Sequence, residues 1–460
     1  VYAATWRWHF YAGLFVLPFF LVLALSGALM LIMPSVEPLL YRSLYEVAPA
    51  EERISTQQQL EAVQAAYPHM SVVTFVPGAT AWQSNRFALM PAHHGGEHGG
   101  HTGQGSFNVY VNPYSGELLG KLDPQSTLYA FARGLHGTLL LGQTGDYLIE
   151  IVAGFGVLLV ITGLFLWWPR GHQSWRELLW PRRNGGKRAG WRSLHAGLGF
   201  WMSGLLLFFL FSGLAWTSVW GGKMLQGWGS MPPQKLQTPL SERRHAALNY
   251  AGEQQVPWTL EQTAMPLNPA ASGNDAARPD LNDISRFAAK AGLPGYRIFL
   301  PQNQSETWTL SSTTINGDIR DPRRDTTLYI DQHSGELLAA ARFADYPLLG
   351  KAMAAGVSLH QGGLGFFNLL LNLLFCLVVL TMVVAAFSMW WIRKPRSGLR
   401  LSPPPMPASP RIWRQATLIM LILALLFPLT GLTILAVLLI DALLTTGLKA
   451  LRTRTASDQA

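Results

Sequence analysis

Apolar residues in this chain gather into long unbroken runs separated by stretches of short alternation. Residues 10–33, 147–168, 196–220, 366–392 and 416–440 carry almost no charge, and each reaches the roughly 20 helical residues that cross a hydrocarbon core. They are therefore read as five membrane spans. Glu150 near the start of the second run and Pro428 inside the fifth leave those boundaries soft. The first run is too long, and lacks the small-residue cleavage site, for a removed signal peptide, so it is expected to stay as an anchor.

Between the runs the pattern changes to that of strands. Residues 34–134 and 221–350 each begin with a polar helix, at 56–66 and 283–291, and continue in short alternating segments. Each closes on a similar phrase, Val109-Tyr110-Val111-Asn112-Pro113-Tyr114-Ser115-Gly116-Glu117-Leu118-Leu119 and Leu328-Tyr329-Ile330-Asp331-Gln332-His333-Ser334-Gly335-Glu336-Leu337-Leu338, which predicts a hairpin around Ser-Gly. Residues 228–279, rich in Pro, Gln and Asn, read as a loop or an excursion over the membrane surface. The expected layout is a first span at 1–33, a domain at 34–134, a second span at 135–168, and a basic loop at 169–192. A third span at 193–220, a domain at 221–350, a fourth span at 351–392, a basic loop at 393–414, a fifth span at 415–445 and a tail at 446–460 complete it. The fold class is an all-α membrane bundle of four core helices plus a fifth, carrying two α+β domains, with an internal tandem duplication.

Composition supports this frame. Of 460 residues 49% are hydrophobic and 13% charged, which argues against a soluble enzyme. Residues 170–192 hold seven Lys/Arg against one Glu, and 393–414 hold six against no acid, which puts both loops in the cytoplasm and both domains outside. The net charge of +9 is then mostly topology, and a nucleic-acid partner is disfavoured because the basic residues cluster beside tryptophans at membrane edges. Trp8, Trp167, Trp168, Trp201, Trp216, Trp390 and Trp391 read chiefly as interfacial anchors. The single cysteine, Cys376, excludes disulfides, cysteine-held clusters and paired-cysteine haem attachment.

Four histidines recur in register. His9 and His195 each precede a Ser-Gly by seventeen residues, at Ser26-Gly27 and Ser212-Gly213, while His136 and His360 each precede a run ending in a tryptophan pair. Leu135-His136-Gly137, Gly163 with Trp167-Trp168-Pro169-Arg170, the two Ser-Gly-Glu-Leu-Leu phrases, and Trp191-Arg192 before His195 together resemble the PepSY-associated transmembrane family. That family includes iron-regulated membrane proteins of the PiuB type and siderophore reductases, and the resemblance covers nearly the whole chain. It implies that the two domains are PepSY-like and periplasmic, that the spans lie in a bacterial inner membrane, and that the external acceptor is ferric iron held in a siderophore. The second tryptophan pair is followed by Ile392-Arg393 where the first has Pro169-Arg170, and the Gly/His-rich stretch at 93–101 is no part of the family pattern.

A strongly polar side chain in an apolar run calls for a partner, and haem iron is one that suits imidazole. Opposite ends of a 20-residue span differ in height by about 30 Å, so only same-face histidines can share an iron. Two haem b groups are expected, one between His9 and His195 near the cytoplasmic face and one between His136 and His360 near the external face. The competing reading of any single one is an interfacial polar cap. His172 is a fallback ligand, and His69, His245 and His333 are expected to be ordinary surface residues. His93, His94, Glu97, His98 and His101 could bind a divalent metal, although the loose, glycine-rich spacing favours a solvated loop. Asp146 and Glu150, one turn apart, suit either a role in relaying protons or attracting iron or a polar helix start.

Without a dinucleotide fingerprint or room for a flavin domain, the electrons are expected from a membrane quinol or a cytoplasmic reductase. The leading reading is an inner-membrane di-haem oxidoreductase acting on a ferric siderophore. A non-catalytic, membrane-anchored binding or regulatory module is the first alternative. The second is a metal transporter collecting through the histidine-rich loop.

Overall fold

The computed structural model describes residues 1–92, 105–169, 186–250, 252–269, 278–394, 422, 425–440 and 443. Their contacts divide the chain into two compact units, one of residues 1–27, 134–224 and 374–460 and the other of 28–133 and 225–373. Four helices among the described residues are long and apolar enough to cross a membrane: Tyr2–Leu40, Gly142–Trp167, Gly186–Leu214 and Phe366–Arg393. They are called spans 1 to 4. Span 1 runs past its expected edge at residue 33, through Pro34 and Pro38, whose fixed φ is itself helical.

The expected second and fourth spans each resolve into two helices. Leu128–Thr138 is separated from span 2 by Leu139 and Leu140 at φ 51° and 60°, followed by Gly142 at φ 56°. Left-handed leucine is disfavoured by roughly 1–2 kcal/mol, so the turn must be held from outside itself. The Leu139 and Leu140 N–H groups donate to Leu135 and Gly134 carbonyls at 3.2 and 3.1 Å, and Leu141 N–H donates to Thr138 at 2.8 Å. Leu348–His360 is likewise separated from span 4, by a turn with Gly362 at φ 72° and Gly365 at φ 112°. Hydropathy alone hides the first break, because Leu139, Leu140 and Leu141 are themselves apolar, whereas the second falls on Gln361-Gly362-Gly363-Leu364-Gly365, just before the apolar run that begins at 366.

In the first unit, small residues set the helix spacing. Ala12, Ala153, Val157, Leu158, Leu210 and Leu214 form a buried core, and a side chain on Gly156 would stand 2.9 Å from both Phe20 and Leu210. Such small positions let helices approach where water supplies no driving force. Phe209 stacks on Phe375 at 4.3 Å, tying span 3 to span 4. Of the expected fifth span, a shorter apolar helix, Pro428–Ile440, is described, seated with Thr430 against Gly154. The remainder of 416–440 lies outside the described residues.

The second unit is built on one sheet. Its strands are β1 (Met70–Val76), β2 (Asn85–Pro91), β3 (Phe107–Val111), β4 (Leu118–Leu122), β7 (Arg297–Phe299), β8 (Trp308–Ser312), β9 (Thr326–Ile330) and β10 (Leu337–Arg342). β5 (Leu240–Arg244) and β6 (Ala264–Pro266) pair separately. The eight run in the order β10-β9-β8-β7-β1-β2-β3-β4, all neighbours antiparallel. Helix then four-strand meander occurs twice, with Thr56–Ala66 capped by Ser55 and Leu281–Lys290 capped by Asp280, both through capping boxes. The two closing hairpins match bond for bond. Asn112 N–H donates to the Glu117 carbonyl and Gly116 N–H to Asn112, while Asp331 N–H donates to Glu336 and Gly335 N–H to Asp331. Gly116 and Gly335 stand at φ 78° and 74°.

Instead of two separate α+β domains there is one sheet with a shared core. β1 pairs with β7 at Thr74↔Phe299 and Phe75↔Ile298, and Phe75, Phe87, Val109, Leu281, Ile284, Ile298 and Leu310 are buried together. Either meander alone would leave an apolar strand edge open, and the pairing closes it. The stretch at 228–279 is also more than a loop. Met231, Leu236 and Leu260 pack under Tyr329, Ala339 and Ala341, covering β9 and β10 with apolar residues too widely spaced to show a period.

Candidate functional site

Span 1 brings His9 against span 2. The His9 Nδ1 lies 2.9 Å from the Thr162 hydroxyl, which itself donates to the Leu158 carbonyl at 2.6 Å. With its hydrogen so placed, Thr162 accepts from an Nδ1–H of His9. The next residue, Gly163, leaves room for the ring, since a Cβ there would stand 3.2 Å from His9 Cε1. Thr162 and Gly163 are neighbours on the helix, so the polar partner and the space come from one place.

Span 3 supplies His195. Its ring centroid is 6.4 Å from that of His9, with the planes at 80°, and its Nδ1 faces the Met382 carbonyl of span 4 at 3.3 Å. A carbonyl only accepts, so His195 also carries its hydrogen on Nδ1. Both rings thus place their lone pair on Nε2, the form in which imidazole ligates a metal. Two metal–imidazole bonds of about 2.0–2.1 Å put the ligating nitrogens about 4 Å apart, and the rings' own size brings their centroids to roughly 6–6.5 Å. The 6.4 Å between centroids leaves room for one metal ion between the rings, and His9 and His195 are the residues that would hold it.

His136 lies in the last turn of Leu128–Thr138 rather than at the start of a span. Its Nδ1 is 3.0 Å from the Leu23 carbonyl and 3.1 Å from the Ser26 hydroxyl, and Ser26 donates to the Val22 carbonyl at 2.7 Å. This ring too has acceptors at Nδ1 and its lone pair on Nε2. A Cβ on Gly27 would come within 3.2 Å of His136 Cε1, so the Ser26-Gly27 pair serves His136 as Thr162-Gly163 serves His9. Seventeen residues of helix between His9 and Ser26 separate the two levels by roughly 25 Å. In the other unit, His360 ends the Leu348–His360 helix.

Two features escaped sequence reasoning. Thr162 was hidden among apolar neighbours, as a lone hydroxyl in a span commonly bonds back to its own helix. Asn368 and Asn372 of span 4 donate to the carbonyls that end the His360 helix. Their signal was available, because amides one turn apart in a highly apolar helix need partners.

Other expected residues have different settings. His245 is fully buried rather than on the surface: Nδ1 donates to the Thr263 carbonyl at 2.7 Å and Nε2 accepts from the Tyr329 hydroxyl. Burial lowers its pKa to about 4, against the opposing pull of the Thr263 bond. A Pro/Gln-rich surrounding gave no hint of this, because the burying segment is the irregular stretch at 228–279. His69 is exposed and His333 half-buried. Asp146 accepts from Ser218 N–H at 3.1 Å, and buried Glu150 accepts from Val219 and Trp220 N–H at 3.2 and 3.1 Å. The two carboxylates therefore cap the π-helical turn Ser218–Leu225 after span 3 and not their own helix. His172 and the cluster His93, His94, Glu97, His98 and His101 lie outside the described residues. Among the described residues no group of three or more His, Cys, Asp or Glu is arranged to hold a metal ion, and a two-histidine axial site needs only two. Trp168, Trp201 and Trp391 are mostly exposed, as interfacial residues are, whereas Trp167 stacks on Phe200 at 3.9 Å.

The family model described as the PepSY-associated TM region matches residues 6–393. No individually curated protein matches the chain.

Proposed function

From the premise that the chain belongs to the PepSY-associated transmembrane family, we propose that it is a di-haem b membrane oxidoreductase that passes electrons outward to a ferric siderophore. The observation that carries this reading is the pair His9 and His195, 6.4 Å apart in facing spans with each Nδ1 engaged by an acceptor. Two half-buried imidazoles set in apolar spans, each with Nδ1 engaged, are costly there and favour a metal as the partner of Nε2. His136, held in the same tautomer by Leu23 and Ser26, is assigned with His360 to the second haem on the strength of the sequence register. The attachment is non-covalent, because the chain has one cysteine.

A haem held between two imidazoles supplies reversible one-electron exchange. The protein's own residues do the rest of the work. Thr162, Met382, Leu23 and Ser26 fix ring tautomer and orientation, and Gly163 and Gly27 keep side chains out of the space beside the rings. The apolar walls keep water from the rings, which sets the local dielectric. The levels of His9 and Ser26 stand roughly 25 Å apart along span 1, so groups held at both would span most of a core of roughly 30 Å. We place the basic loops in the cytoplasm of a bacterial inner membrane and the eight-stranded sheet in the periplasm, as a fused pair of PepSY-like halves that arose by duplication. The acceptor meets the protein on that side, and ferric iron leaves its chelate on reduction because the ferrous ion is held more weakly. A quinol or a cytoplasmic reductase supplies the electrons.

The test is an absorption spectrum of detergent-purified protein, oxidised and then reduced with dithionite, with haem quantified per chain. About two haems per chain with six-coordinate b-type bands support the reading. Colourless protein from haem-replete cells would overturn it in favour of a membrane-anchored binding module.

A further inference from the structure

Span 4 is the most apolar of the four by mean hydropathy, 2.8, yet it carries two asparagines one turn apart. Asn372 is 2% exposed. An amide in such surroundings is tolerated only when its donors and acceptor are used, and here the bonds converge on the end of the His360 helix and the turn after it. Asn372 Nδ2 donates to the Leu359 carbonyl at 2.7 Å and to the His360 carbonyl at 3.0 Å. Asn368 Nδ2 donates to the same Leu359 carbonyl at 3.0 Å and to Asn372 Oδ1 at 3.3 Å, while its own Oδ1 accepts from Leu364 N–H at 3.2 Å.

The last four carbonyls of a helix have no partner within it. At the end of Leu348–His360, Val357 and Ser358 are answered by the backbone N–H groups of Gln361 and Gly363, at 2.9 and 2.8 Å. The Leu359 carbonyl accepts from the Gln361 and Gly362 N–H groups, the latter at 3.3 Å, and the His360 carbonyl accepts from Asn372 at 3.0 Å. The backbone of His360 is therefore fastened by a side chain. His136 is held differently. Its turn is closed by backbone donors, with Leu139, Leu140 and Leu141 N–H groups reaching Leu135, Gly134 and Thr138.

We propose that Asn372, with Asn368 bracing it, is the positioning residue of His360. The inference rests on the haem reading above, and it makes the setting of His360 sensitive to substitution of one side chain of span 4. Asn372 touches neither iron nor substrate, so its effect travels through the peptide of His360.

The experiment uses the full chain purified in detergent, with Asn372→Leu, which removes both donors at similar volume, Asn372→Gln, which keeps them, and Asn368→Ala, which removes the brace. Haem per chain, the low-spin electron paramagnetic resonance signals and the midpoint potentials are measured. Asn372→Leu is expected to change one haem component alone, with its dissociation accelerated about 10-fold as for other residues that orient a metal ligand. Asn368→Ala should do the same more weakly, and Asn372→Gln should restore part of the original signal. Both components unchanged in Asn372→Leu would overturn the assignment. Should that variant fail to accumulate, both components unchanged in Asn368→Ala would overturn it as well. Absence of haem from the unaltered protein is a separate outcome, seen before any substitution, and removes the reading on which the inference stands.

Discussion

Thr162→Val is the sharpest perturbation of the proposed inner site, because it changes one hydroxyl for a methyl of nearly the same shape. The hydroxyl is 2.9 Å from His9 Nδ1, and Thr162 is 5% exposed, so water cannot replace it without repacking. Leaving a buried donor unsatisfied costs roughly 1–3 kcal/mol. Loss of an outer partner to a metal-bound histidine typically lowers metal affinity about 10–100-fold, or about 1.4–2.8 kcal/mol, so the two estimates agree. The helix should survive, since the Leu158 carbonyl keeps its backbone donor and valine suits an apolar span. The assay follows haem transfer from purified protein to a haem-scavenging globin, resolved into two components by the reduced spectrum. One component is expected to leave about 10–100-fold faster and the other at its original rate. If His9→Ala removes a haem while Thr162→Val leaves both rates unchanged, the tautomer argument fails although the ligand assignment stands.

Three other predictions use the same logic elsewhere. Gly163→Val should displace the His9 ring, since even a Cβ would lie 3.2 Å from Cε1, and haem per chain should fall by about one while Gly190→Val, in open space, leaves it unchanged. In the sheet unit, burial raises the Asp325 pKa to about 7, so the folded form binds an extra proton between about pH 4 and 7 and stability falls as pH rises through that window, by on the order of 4 kcal/mol. Thermal unfolding should show that slope, and Asp325→Asn should flatten it; a parallel slope in the variant would refute the assignment. His245, with its pKa lowered to about 4, contributes stability that is present above about pH 6.5 and lost as pH falls toward 4, on the order of 3 kcal/mol, and His245→Gln should remove that acid-side loss in the same unfolding series.

Much of this architecture was legible because the membrane makes sequence speak plainly. Spans 2 and 4 end within a residue of where hydropathy placed them, and the polar helix at 56–66 was read to the residue, since Ser55 and Gln58 form a capping box. The hairpins followed from Ser-Gly, where Gly116 and Gly335 take positive φ. What stayed hidden has one cause in common. The breaks at Leu139–Leu140, the β1–β7 pairing and the burial of His245 are all decided by partners distant in sequence, and a periodicity argument sees only neighbours.

The histidine register carried the most information about the site and also concealed its asymmetry. In the first half the pair Thr162-Gly163 stands five residues before Trp167-Trp168, giving His9 both an acceptor and a vacant Cβ position. The same offset before Trp390-Trp391 falls on Ala385-Ala386, which offers neither, and His195 turns instead to the Met382 carbonyl at 3.3 Å. A backbone carbonyl cannot be deleted by substitution, and its bond here is the longer one. The His9 ring is thus held by a shorter bond to a replaceable side chain, and the His195 ring by a longer bond to an irreplaceable one. Introducing threonine at Ala385 would test whether the halves still share a site plan: His195 should exchange its carbonyl for the new hydroxyl, slowing haem release from the His9–His195 component alone. Release unchanged from that component would mean that the second half has repacked around the carbonyl and that the register, though preserved in sequence, no longer describes equivalent chemistry.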